Sequence, residues 1–69
     1  MRVANHHVET VRAWLETEAG KNCMRTARER FGYSYKRALG LAVIQATGLA
    51  VYERITEVVD ALMGEGLAA

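Results

Sequence analysis

The stretch ALGLAVIQATGLAVY, Ala38 to Tyr52, most constrains this chain. At fifteen residues, broken by Gln45 and Thr47, it falls short of the roughly 20 apolar residues that span a bilayer. It is also too apolar to lie on a surface. A helix apolar on every side is a buried helix, so other helices must enclose this one. The chain has 69 residues for that task. That is one domain at most, hiding only about 60% of the surface its unfolded form exposes. Cys23 is the single cysteine, which excludes an internal disulfide and a Cys-rich metal site and suits a reducing compartment. Met1 leads directly into polar residues, so no secretion signal is expected and the cytoplasm is the expected location.

The chain contains no proline, so helices must stop at glycines and capping residues. Asn5 is an expected N-cap for a first helix. Val8, Val11, Leu15 and Ala19 form its apolar face, Trp14 widens it, and Gly20 is expected to end it. Asn22 is expected to cap a short second helix with Ala27 and Phe31 inward and Cys23 one turn earlier, ending at Gly32. Ser34 should cap a third helix that runs to Gly48. Ala38, Ala42, Ala46 and Ala50 recur every fourth residue on it, a stripe that permits close helix approach. A last helix over about Leu49 to Met63 shows Val51, Ile55, Val58 and Leu62 on one face. The spacing around Gly48 fits one continuous helix, two helices bent there, or a strand at GLAVYE. The expected fold is all-α: a three- to four-helix domain over residues 1–63, with 64–69 as a flexible tail or linker start.

Charge is distributed unevenly. From Lys21 to Arg37 six basic residues face one acid, a local +5, while residues 1–20 carry −1 and residues 38–69 carry −3. A concentrated basic segment on an otherwise acidic domain is an electrostatic footprint for a polyanion. Two short helices joined by a turn at Gly32 form a helix-turn-helix candidate over about Asn22 to Thr47. Ala27, Phe31, Tyr33, Ala38 and Leu41 fall at its apolar positions. Arg28 stands where the motif usually has a small residue. The N-terminal end of the second helix enters the DNA major groove in this class, and its free amides attract phosphate. The expected DNA-binding residues are therefore Arg25, Arg28, Arg30, Ser34, Tyr35, Lys36 and Arg37. Beyond Arg37 the third helix offers little that hydrogen-bonds to base edges until Gln45, so a single module should discriminate weakly.

The segment GYSYKRA, Gly32 to Ala38, resembles the Gly-Tyr-Ser-x-Lys-x-Ala signature in the helix-turn-helix domains of viral small terminase subunits. VRAWL, the Gly20-Lys21-Asn22 turn, TARERF and VYERI extend the likeness from about Val8 to Leu62. The resemblance implies recognition of viral double-stranded DNA for packaging, in the host cytoplasm, with homo-oligomers and a packaging motor subunit as partners. A small transcriptional repressor or an excisionase-like regulator is a second reading. A protein-binding inhibitor or adaptor, with its arginines on an acidic partner, is a third.

No catalytic arrangement is expected. His6 and His7 are adjacent and diverge on a helix, and no nucleophile stands near a base and an orienting group. No cofactor, metal or membrane association is expected. Trp14, Phe31 and Tyr33 read as core residues, Tyr35 as exposed, and Cys23 as a small core residue.

Overall fold

The computed structural model describes the backbone over residues 5–68 and the side chains over residues 6–64. Four helices follow one another: α1 (Asn5–Leu15), α2 (Glu18–Glu29), α3 (Tyr35–Thr47) and α4 (Tyr52–Ala68). The protein is all-α, as expected. No strand occurs among the described residues, and GLAVYE is a linker followed by the start of α4.

The apolar run explains the arrangement. Helix α3 packs against each of the other three helices. Ala38, Leu39, Ala42 and Val43 of α3 are completely buried. Leu39 and Val43 meet Val8 and Val11 of α1 and Val58 and Val59 of α4 in one core, rimmed by Leu15, Met24, Leu49, Ile55 and Leu62. The alanine stripe works through Ala46 but not Ala50, which is exposed and lies outside α3.

Both ends of α3 are built by local chemistry. The Ser34 hydroxyl accepts from the Arg37 amide at 3.2 Å. Gly48 closes the helix with φ +77°, and its amide donates to the Ile44 carbonyl. That left-handed residue resolves the ambiguity at the run's centre: α3 and α4 are two helices, bent by 113° across the intervening link. Helix α4 begins later than expected, at Tyr52, and leaves Val51 exposed in the linker. Its backbone is helical through Ala68, over residues 64–68 where a tail is expected. Ala69 lies outside the described residues.

The first half of the chain departs most from expectation. Helix α1 stops at Leu15, and Thr17 rather than Asn22 caps α2. The Thr17 hydroxyl donates to the Trp14 carbonyl at 2.6 Å and accepts from the Gly20 amide at 3.1 Å. One side chain thus closes α1 and opens α2. Gly20 does not end a helix; it is buried in the first turn of α2, against the end of α1. Ala19, expected inward, is exposed because the break at residues 16–17 moves it to another helix. Asn22 sits inside α2, where its carboxamide oxygen accepts from the Arg25 guanidinium.

Candidate nucleic-acid interface

Helices α2 and α3 cover the helix-turn-helix candidate, which starts earlier than the spacing predicts, since α2 begins at Glu18. The chain leaves α2 after Glu29, and the Arg30 and Phe31 amides both donate to the Thr26 carbonyl. Gly32 then takes φ +70°, a left-handed conformation that glycine adopts at little steric cost. The Tyr33 amide donates back to the Ala27 carbonyl at 2.9 Å, which ties the turn to α2. Ala27 and Ala38, buried at the crossing, allow the two helices to approach.

Phe31 is 62% exposed, not part of the core. Its spacing of four from Ala27 would place it inward only on a continuing helix, and α2 has already ended. Its ring instead packs against Tyr33 at 5.7 Å between centroids. Tyr33 is half-buried, Tyr35 is 50% exposed, and Trp14 is half-buried in a cleft with Ala19, Cys23 and Leu41 rather than in the central core.

The basic residues and these rings interleave. The Arg37 guanidinium lies over the Tyr33 ring, 4.2 Å from its centroid. The Arg28 guanidinium lies 5.8 Å from the centroid of Tyr35. Arg28, bulky for its place in the motif, is accommodated by pointing outward over that ring. Such stacking holds an arginine in place while its donors stay available. The amides of Tyr35 and Lys36, at the first two positions of α3, have no carbonyl acceptor within the helix. The turn thus carries two separate arginine–tyrosine contacts beside a positive helix end.

The seven expected DNA-binding residues all lie on the surface, yet they do not form a single patch. Arg25 and Arg28, three apart, share the outer face of α2, with Tyr35 beside Arg28. Arg30 caps the end of α2. Ser34 serves the helix end itself. Lys36 turns toward α4, where its ammonium lies 3.9 Å from the Asp60 carboxylate. Sequence spacing missed Tyr33 as the platform for Arg37. The available signal was an aromatic residue four positions before an arginine.

The histidine rings, expected to diverge, lie 4.2 Å apart and tilted by 42°. No group of three or more His, Cys, Asp or Glu side chains able to hold a metal ion occurs among the described residues. Cys23 is half-buried, and burial pushes its thiol above the usual range. Glu57 has one buried carboxylate oxygen with no hydrogen bond, 3.6 Å from the Arg54 guanidinium. No single helix among the described residues is long and apolar enough to cross a membrane.

Comparison with protein-family models, with curated proteins and with solved structures finds no match to this chain.

Proposed function

We propose that this protein is a non-catalytic double-stranded DNA-binding module that engages DNA through the turn and the first turn of α3. The observation that carries the reading is the interleaving of Arg28, Tyr35, Tyr33 and Arg37 around a Ser34-capped helix end. Phosphates bind at such an end through free amides and the helix dipole. Arg25, Arg28 and Arg30 supply flanking phosphate contacts that set orientation. Arg37 and Tyr35 are the groups placed to reach base edges, and Lys36 joins them by exchanging Asp60 for a phosphate. The resemblance of GYSYKRA to small terminase subunits favours recognition of viral DNA for packaging, with a motor subunit as partner, in the host cytoplasm. A repressor or excisionase-like role is the second reading. It is favoured by the unpartnered apolar surface behind the turn, because a regulator of this size needs a partner to become selective.

The test is fluorescence anisotropy on duplex DNA across a salt series. Five basic residues lie in the segment Arg25 to Arg37. If each contacts a phosphate, log K falls against log salt with a slope of about −4.5, at roughly −0.9 per contact. A flat dependence would remove the reading. The double substitution Lys36→Ala with Arg37→Ala should weaken binding sharply and leave the fold intact, since both side chains are exposed.

A further inference from the structure

The basic residues between Arg25 and Arg37 differ in how their charge is held. Arg25 donates to the Asn22 carboxamide on α2. Arg28 makes a loose contact, 5.8 Å from the Tyr35 centroid, and Arg30 is the C-cap of α2. Lys36 leans on Asp60 of α4. Arg37 stands apart from all four. It is the third residue of α3, in the part of a recognition helix that contacts base edges. Its guanidinium lies 4.2 Å from the Tyr33 centroid. Its side chain has no hydrogen-bond or ion-pair partner among the described residues.

Both ends of Arg37 are fixed. Its amide donates to the Ser34 hydroxyl at 3.2 Å. Helical side chains lean toward the helix start, which carries the guanidinium back over Tyr33, the residue before the cap. Tyr33 is itself secured. It is half-buried, its amide donates to the Ala27 carbonyl at 2.9 Å, and its ring packs on Phe31. A tyrosine face attracts a guanidinium without consuming its N–H donors. The donors stay available in a plane set before any ligand arrives, and a fork set in advance loses less freedom on binding. A lysine in the same place would be a point charge. A planar fork matches two acceptors side by side, and in the major groove guanine presents them at O6 and N7.

We propose that Arg37 reads a guanine through O6 and N7 and that Tyr33 is the positioning residue that aims it. The inference rests on the DNA reading and narrows it. Arg25, Arg28, Arg30 and Lys36 are left to the phosphates, and the target carries a guanine opposite the start of α3.

Selection from a random duplex pool with the full chain gives the preferred site. Fluorescence anisotropy at fixed salt then compares that site with a duplex carrying adenine in place of the guanine. The wild type should prefer guanine by about 5- to 150-fold. Arg37→Lys keeps the charge and loses the fork. It should bring that ratio below about twofold, while affinity for random-sequence duplex stays within roughly a few-fold. Tyr33→Leu should lower the ratio in the same way with Arg37 intact, and Tyr33→Phe, which keeps the ring face, should retain it. Far-ultraviolet circular dichroism checks that each variant folds, and Arg37→Lys, at an exposed position, decides the base contact even where Tyr33→Leu does not fold. A site without guanine preference, or a preference that survives Arg37→Lys, would overturn the proposal. A folded Tyr33→Leu with the wild-type ratio would overturn the positioning role. Failure of the DNA reading looks different: it is a flat salt dependence on random-sequence duplex. Failure here leaves a steep salt slope with no preference for guanine.

Discussion

Gly20→Ala should be among the most damaging single-methyl changes available to this protein. A Cβ at Gly20 would fall against the Trp14 carbonyl oxygen, 2.7 Å from the Leu15 Cα and 2.8 Å from the Trp14 carbonyl carbon. All three atoms are backbone, so no side chain can swing away. The end of α1 and the start of α2 must move apart by the better part of an ångström. Overpacking of this kind destabilises by about 1–3 kcal/mol. The same movement loosens the Thr17 cap, which accepts from the Gly20 amide, and losing such a cap costs roughly 1 kcal/mol. Alanine's better helix propensity returns about 0.5–1 kcal/mol. The net loss is then about 1–3 kcal/mol. At about 4–8 °C per kcal/mol for a domain this small, Tm should fall by roughly 5–25 °C. Thermal melting followed by far-ultraviolet circular dichroism measures it. Gly64→Ala is the control: it is also helical, its Cβ would meet nothing, and the change should stabilise by about 0.5–1 kcal/mol. If Gly20→Ala melts with or above the wild type, the close α1–α2 approach is not what requires this glycine.

Two further outcomes follow from the turn and the lone thiol. Gly32 has φ +70° with open space around it, so Gly32→Val should lose about 1–3 kcal/mol through backbone strain alone, and an unchanged urea midpoint would contradict this. Burial raises the Cys23 thiol in the folded chain, so folding favours the protonated form; that contribution is present below the unfolded thiol's pKa of about 8.5 and is lost as pH rises through the folded value. The pH midpoint of alkylation by iodoacetamide should accordingly be higher in the native chain than in urea, and a lower native midpoint would show that the basic neighbours prevail.

The caps of α3 were legible because they are local. Ser34 caps within its own turn, and Gly32 and Gly48 adopt the positive φ that glycine permits. The break between α1 and α2 was not legible, because two capping residues competed and the outcome depends on a neighbour. Thr17 prevails over Asn22 by also closing the Trp14 carbonyl, a contact that no single-residue preference encodes. Gly20 misled for a related reason. Its lack of a side chain suits a helix end, but here it serves a close approach between two helices. Phe31 was misplaced by extending a helical period past the end of its helix. The charge cluster was plain in the sequence. Its division around α3 was not, because Lys36 finds Asp60 only through the 113° bend between α3 and α4.

That division bears on how α3 would meet DNA. A recognition helix lying lengthwise in the major groove needs hydrogen-bonding side chains along its outward face. In α3 that face runs Arg37, Gly40, Leu41, Ile44, with Gln45 turned toward Trp14 and the cleft beside α2. Apolar groups there could recognise little beyond a thymine methyl. On the proposed reading the helix would meet DNA by its end, where a single good bidentate arginine contact supplies about 1–3 kcal/mol of discrimination. Specific binders commonly separate specific from non-specific sites by roughly 4–10 kcal/mol. One turn falls short of that, so a single module would discriminate weakly. The apolar run that buries one side of α3 also leaves Leu41 and Ile44 on its outward groove, so weak lengthwise reading follows from the same residues that build the core.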